Sequence, residues 1–374
     1  MHIREIDATS IHDRNKFIQF PFHLYKENKQ WVPPFISDMH FVMNRQKYPF
    51  YQHSDGTFFV CESGSEVLGR IAVLHNTNYC KFHNLRTAFF YFFESIDDLQ
   101  IASNLFDAAF SWGKKRDLTQ IYGPRGFSRV GCNGILTKGF EYMPAMNITY
   151  NFPYYPAFME KIGFVPETDY LSGYITRDTF KIPQKVAEMA EKIAKRNDLW
   201  VKTFRNKAEM KTLIPEVDAI HSAAFENNPA YYPSTKEEFE LIANGIVQLA
   251  DPGLIKMIMK GNEVAGFIIA YHDLSKALQR TKGQMAPLGW IEFLKEKKQT
   301  NVVDLNGVGI LPKFQGTGAN ILLYYELIRT LMAYKQFDRA EFIQVDVRNF
   351  KSKSDSETMG VNWHKCHRTY QMEI

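Results

Sequence analysis

Val308-Gly-Ile-Leu-Pro-Lys-Phe-Gln-Gly-Thr-Gly-Ala-Asn-Ile-Leu-Leu-Tyr-Tyr325 runs from an apolar strand through a glycine loop into a helix. Gly316 and Gly318 let the backbone turn tightly and leave its N–H groups uncovered, while the helix behind them points its positive end the same way. Such a loop cradles phosphate without a basic side chain. Two other phosphate loops are excluded. There is no G-x-x-x-x-G-K-[ST], and Gly307-x-Gly309 lacks the third glycine of the dinucleotide fingerprint. The plainer alternative is a strand–helix turn that holds no ligand.

Reading outward, the second half shows a strand over 200–204, helices near 207–225 and 236–250, and a hairpin over 254–271 turning at Lys260-Gly261-Asn262. A strand over 302–310, a helix over 319–335 and a strand over 341–347 complete it. The first half repeats this order. It has a strand over 2–6, a helical region, strands over 58–61 and 67–75, a strand over 88–94, a helix over 99–115 and a strand over 120–122. Leu105, Ala108, Ala109 and Trp112 give that helix the stripe of one packed on a sheet. Between the halves, Val186, Met189, Ala190, Ile193 and Ala194 keep helical spacing behind Pro183. The pattern predicts a tandem duplication of one α/β (α+β) unit: residues 1–180, a linker helix over 181–197, and residues 198–374.

The 374 residues suit two domains of about 150 each. Composition is 45% hydrophobic and 23% charged, which excludes a disordered chain. A net charge of +4 is too small to argue for nucleic acid as a partner. Of the 30 Phe, 19 Tyr and 5 Trp, 35 fall in residues 1–180, so that half is tightly filled or lines something apolar. Cys61, Cys80, Cys132 and Cys366 are scattered without metal spacing, so no metal is expected. With an opening, MHIREIDATS, that lacks the apolar run of a secretory signal, they lead us to expect a cytoplasmic protein.

Gln315-x-x-Gly318 behind its strand resembles the pyrophosphate loop of the GNAT acyltransferase superfamily, with Asn320 where that loop has Gly or Ala. Asn349, Gly360 and the tail 365–370 resemble the superfamily's next helix and closing strands. The resemblance implies two GNAT-like domains, each a mixed, mostly antiparallel twisted sheet flanked by helices. It implies acyl-CoA (acetyl or long-chain) as co-substrate, lying where two parallel strands splay apart. Gln315, Gly316, Thr317, Gly318, Ala319 and Asn320 would meet its pyrophosphate, with Asn349 nearby. The N–H of Ile310 or Leu311 would hold the thioester carbonyl, a fixed dipole aimed where charge develops as an amine attacks.

That amine must lose a proton. Asp304 lies eleven residues before Gln315, the offset at which some superfamily members carry a catalytic Glu. Among Val302, Val303 and Leu305 it is partly desolvated, which raises its pKa toward useful values. The alternative is a structural carboxylate. The superfamily's usual tyrosine acid is replaced by Ser356, leaving Tyr324 or Tyr325 as substitutes, or as plain packing residues.

In the first half the corresponding strand ends Phe93-Glu94-Ser95-Ile96-Asp97-Asp98 and no glycine loop follows, so acidic residues stand where pyrophosphate would sit. We expect this half to bind substrate through Glu94, Asn133, Asn151, Tyr154 and Tyr155, or to be an inactive remnant. Three stretches resemble the bacterial ceramide synthase-like (YghO-like) group: 17–34, 90–155 and 273–290. That resemblance implies N-acylation of a long-chain, sphingoid-type amine. The alternatives are a small-molecule or protein N-acetyltransferase and a non-catalytic CoA- or lipid-binding protein. Residues 287–298 (PLGWIEFLKEKK) are amphipathic and basic, either a peripheral membrane contact or an ordinary surface helix.

Overall fold

The computed structural model describes residues 1–178 and 184–374; Pro183 and the start of the expected linker lie outside the described residues. The first half runs β1 (His2–Glu5), α1 (Ile11–Leu24), α2 (Ile36–Val42), β2 (Asp55–Ser63), β3 (Glu66–His75), α3 (Thr77–His83) and β4 (Thr87–Ser95). It continues through α4 (Leu99–Lys114), β5 (Gln120–Gly123), β6 (Ile135–Lys138), α5 (Tyr155–Ile162) and β7 (Val165–Thr176). The second half opens with α6 (Gln184–Asn197), β8 (Leu199–Thr203), α7 (Lys207–Lys211), α8 (Ile214–Phe225), α9 (Lys236–Leu249), β9 (Ile255–Lys260) and β10 (Glu263–His272). Then come α10 (Ser275–Thr281), α11 (Gly289–Gln299), β11 (Val302–Ile310), α12 (Ala319–Ala333), β12 (Arg339–Asp346), α13 (Phe350–Thr358) and β13 (Asn362–Glu373).

Local chemistry sets the helix starts. Asp98 caps α4 through Gln100 N–H at 2.8 Å, and Thr235 with Glu238 forms a capping box on α9. One helix was expected over 207–225; two are present. Pro215 has no N–H to donate to Lys211 O, so the chain breaks at Thr212–Leu213 and restarts as α8.

The strands form one sheet in the order β1-β2-β3-β4-β5-β13-β7-β12-β11-β10-β9-β8, with β6 beside β13. Among the described residues only β4–β5 and β11–β12 pair in parallel; the sheet is mixed and mostly antiparallel, flanked by helices. The halves exchange their last strands. β7 pairs with β12 and β13 with β5, while β7 and β13 pair with each other from Val165↔Gln371 to Tyr174↔Asn362. The chain thus has the repeated order the sequence predicts, joined by ladders that cross from half to half.

On one face of the first half α4 packs through Phe106 on Phe90, Phe93 and Phe164; on the other Phe17, Phe50, Phe58, Phe89 and Phe127 form a second core. The aromatic excess of this half is thus largely buried packing. Tyr232, from the α8–α9 connection, is buried in that second core. Tyr79 Oη donates to Pro229 O at 3.0 Å beside it. In the second half α6 and α12 cover one face and α7–α9 the other. Ala190, Ile193 and Ala194 of α6 join the first of these cores, so the segment read as a linker is also a packed layer.

Because the central ladder belongs to both halves, damage there should unfold both together. A side chain at Gly173 would meet Val361 and Trp363. Gly173→Val should therefore lower the thermal midpoint through about 1–3 kcal/mol of overpacking, in a single calorimetric transition. Two separate transitions, only one of them displaced, would contradict the shared-sheet account.

Candidate active site

β11 and β12 pair only from Val302↔Arg339 to Leu305↔Phe342 and then diverge. A bulge helps: Asn306 and Gly307 together oppose Ile269, and Gly307 sits at φ +112°, where glycine costs little. Beyond it, Leu311 N–H donates to Ala265 O at 2.9 Å, which makes the preceding pair, Ile310 with Gly266, a non-hydrogen-bonded one. The N–H groups of Ile310 and Val308 therefore point away from β10 into the splay. Of the two amides expected to receive a thioester carbonyl, Leu311's is spent inside the sheet and Ile310's is not.

The loop follows directly. Gln315 Nε2 donates to Ile310 O at 3.2 Å and Thr317 Oγ1 to Phe314 O at 2.7 Å, bracing the turn. Gly316 and Gly318 lie at φ +78° and +88°; Gly318 is the N-cap of α12 and carries no side-chain cap. Among the described residues, the amides of Gly316, Gly318, Ala319 and Asn320 have no acceptor in the chain. They form a ring of donors at a helix N-terminus. Gly316 has open space around it, whereas a Cβ on Gly318 would come within 2.5 Å of Ile193 on α6. Asn320, the departure from the loop pattern, turns its amide to Asp355 Oδ2 at 3.1 Å.

The first half has the same strand geometry with the opening filled. Ser95 faces Gly69 as Ile310 faces Gly266, and Ile96 N–H donates to Leu68 O at 3.0 Å, as Leu311 does to Ala265. Phe92, at φ +47°, stands where Gly307 does. Here, however, Ser95 N–H donates to Tyr155 Oη at 2.9 Å, and Tyr154 Oη donates to Ser95 O at 2.7 Å. Arg125 N–H donates to Phe90 O at 2.9 Å, closing the gap from the β5 side. Tyr155 occupies the donor that Ile310 leaves open.

Asp304 is 3% exposed and its Oδ1 has no hydrogen bond. Register places Tyr271, Asp304, Glu341 and Tyr174 side by side across four strands. Burial, then Asp273 and Glu341, push the Asp304 carboxyl well above the usual carboxylate range. Burial works against ionising Glu341 too. His364, Lys365 and Arg339 overcome it and hold that carboxyl at about 2. Lys365 Nζ lies 2.7 Å from Glu341 Oε1, His364 Nε2 3.2 Å from the same oxygen, and Arg339 Nη2 donates to Oε2 at 2.6 Å. Lys365 also donates to Met143 O at 3.1 Å, so the first half's long loop closes the cluster. The two neighbouring carboxyls are thus pushed in opposite directions, Asp304 toward holding its proton and Glu341 toward losing it.

The other expected residues lie apart. Glu94 pairs with Arg70 Nε at 2.5 Å. Asn151 clamps Leu136, accepting from its N–H at 2.7 Å and donating to its O at 3.1 Å. Asn349 caps α13 through Ser352 N–H at 3.1 Å, and Ser356 Oγ donates to Ser352 O at 2.8 Å. Tyr324 lies on α12; burial and Asp355 raise its pKa. Asn133 reaches the second half through its backbone. Gln344 Nε2 donates to Asn133 O at 2.7 Å, and Gln344 Oε1 accepts from its N–H at 3.1 Å. Gln344, at φ +46° on β12, therefore ties the 124–134 loop to the rim of the open splay. Sequence reading missed this contact, and also Lys365, Glu341 and His364. Among the described residues no His, Cys, Asp or Glu cluster has metal-binding geometry.

No family model matches the chain. It is 24% identical over 367 residues to protein YghO of Escherichia coli, covering 97% of this chain and 93% of that protein. It is 24% identical over 368 residues to a bacterial ceramide synthase of Caulobacter vibrioides, covering 96% and 94%. Among solved structures it is similar to a tandem GNAT protein from the clavulanic acid biosynthesis pathway, with a TM-score of 0.59 at 10% identity over 100% and 98% of the two chains. A GCN5-related N-acetyltransferase from Sphaerobacter thermophilus gives 0.51 at 12% identity over 100% and 95%. These likenesses show a GNAT fold.

Two substitutions probe the carboxyl pair. Asp304 has a raised folded pKa, so it stabilises fully below its unfolded value of 3.8 and this contribution is lost as pH rises toward the folded value. Asp304→Asn cannot ionise, so its thermal midpoint relative to wild type should climb between pH 4 and pH 7. A pH-independent difference would contradict the assignment. Lys365→Met strips a cation from buried Glu341 and should cost about 3–5 kcal/mol in denaturant unfolding; a loss below about 1 kcal/mol, as for an exposed pair, would contradict it.

Proposed function

We propose that this chain is an acyl-CoA-dependent N-acyltransferase that uses the second-half splay for acyl-CoA and takes a long-chain, sphingoid-type primary amine as acceptor. The observation that carries the reading is the contrast between the two splays: Ser95 N–H is capped by Tyr155, while Ile310 N–H and the amides of residues 316, 318, 319 and 320 are uncommitted. The loop donors suit pyrophosphate and Ile310 suits the thioester carbonyl. The acceptor class is supported by the full-length similarity to a bacterial ceramide synthase.

In the reaction the amine nitrogen bonds to the thioester carbon, the C–S bond breaks, and one proton leaves the nitrogen while the CoA thiolate gains one. We assign Asp304 as the acceptor of the amine's proton, a role that requires its ionised form. Its elevated pKa then predicts a rate that rises with pH. Glu341, fixed by Lys365, His364 and Arg339, acts on Asp304 as a neighbouring negative charge that strengthens it as a base. The 124–134 loop, tied to β12 through Asn133 and Gln344, forms the wall contributed by the first half.

Thermal-shift titration with palmitoyl-CoA and with acetyl-CoA tests the reading. Gly318 is unsuitable for substitution because any side chain meets Ile193, so the variants are Gly316→Glu and, as the control for positive φ, Gly316→Ala. A ligand at about 100 times its Kd adds about 2.7 kcal/mol. Palmitoyl-CoA should stabilise wild type and Gly316→Ala more than acetyl-CoA does, and Gly316→Glu should lose the effect. Equal shifts would point to a short acyl donor and count against a lipid N-acyltransferase; no shift with either would remove the acyltransferase reading.

A further inference from the structure

The insertion between β10 and β11 carries an apolar surface that the fold leaves uncovered. Met285, Leu288, Trp290, Ile291 and Leu294 are all exposed, Leu288 to 66%, Leu294 to 53% and Trp290 to 52%. They are five of the fifteen exposed large apolar side chains among the described residues, within ten positions, which makes them a patch rather than scatter. On α11, Trp290, Ile291 and Leu294 lie away from Phe293 and Glu296, the residues that turn inward. Phe293 stacks on Phe35 with ring centroids 5.5 Å apart, so the inner face is already occupied.

Charge around the patch is one-sided. Arg280 is neutralised by Glu292 and Glu296 at 2.7 and 2.6 Å, and Lys297 lies 3.5 Å from Asp251. Exposed Lys282, Lys295 and Lys298 pair with no carboxylate among the described residues. We propose that Met285, Leu288, Trp290, Ile291 and Leu294 insert into the headgroup region of an anionic bilayer, with Lys282, Lys295 and Lys298 on its phosphates. Apolar side chains, a tryptophan and unpaired lysines on one short helix match a helix lying in the interface plane. A second copy fits less well, because a two-fold contact brings the same lysines toward one another.

The location gives the surface a use. α10 starts two residues after Asp273, an acidic neighbour of Asp304, and Leu274, Ala277 and Leu278 pack with Val32 and Phe35. A bilayer against α11 would lie against the segment that leads from Asp273 to β11, the strand of Asp304. This inference rests on the long-chain acceptor reading, since such an amine resides in a membrane.

Co-sedimentation tests it, using full-length protein, vesicles of phosphatidylcholine alone or with about one-third phosphatidylglycerol, and no acyl-CoA. Wild type should pellet with the phosphatidylglycerol vesicles, less so in high salt, and Leu288→Asp/Leu294→Asp should bind at least about tenfold more weakly. Circular dichroism and the wild-type thermal shift with acyl-CoA show that the variant is folded. Wild type remaining in the supernatant, or the variant binding equally, would overturn the proposal. So would multi-angle light scattering showing a dimer that the variant dissociates without vesicle binding, which would assign the face to a second copy. Failure here leaves the acyl-CoA titration untouched, and failure there leaves the vesicle result standing.

Discussion

The antiparallel ladder between β7 and β13 is the constraint on which the rest of the molecule depends. Each strand is the last of its half, and each lies between its partner and the other half's sheet. β13 therefore brings Lys365 and His364 next to Glu341 on β12 with β7 lying between them, while its far end completes β5 through Tyr370↔Gly123. A central ladder of this kind leaves neither half with a complete sheet of its own. It also carries the 139–150 loop of the first half over the second half's charged cluster, where Met143 O receives Lys365.

Within that frame the two halves differ in one decisive way. Both have a strand with a positive-φ residue that parts from its parallel neighbour, and both turn strand amides into the gap. In the first half tyrosine hydroxyls and an arginine amide fill the gap from within. In the second half a short glycine loop and the start of α12 face it, and among the described residues the amides of Gly316, Gly318, Ala319 and Asn320 have no acceptor. A buried strand end that supplies its own acceptors is inert; one that does not is a ready-made site for an anion and a carbonyl. The same backbone architecture is thus filled by side chains in one half and left with uncapped donors in the other.

Much of this was legible in the sequence because it is local. Gly316 and Gly318 between a strand and a helix specify their own φ angles. The strand exchange was not legible. The resemblance of 365–370 to a closing strand does not say which strands flank it, and β5 lies more than two hundred residues away. Tyr155 read as a binding residue for the same reason: nothing nearby in sequence shows that its hydroxyl meets Ser95. Asp304 was legible as a desolvated acid, whereas the groups that set its charge come from β12, β13 and the segment after β10. Pro215 carried a signal that was present and passed over, and it splits one expected helix into two.

The central claim is that only the second splay is open to acyl-CoA, and backbone hydrogen–deuterium exchange with and without palmitoyl-CoA tests it most directly. Bound ligand should slow exchange across 308–322, where the amides of Gly316, Gly318, Ala319 and Asn320 have no acceptor among the described residues, and leave 90–98 and 120–125 unchanged, where the amides of Ser95, Ile96 and Arg125 already have partners. Slowing at 90–98, or no slowing at 308–322 under saturating ligand, would contradict the account.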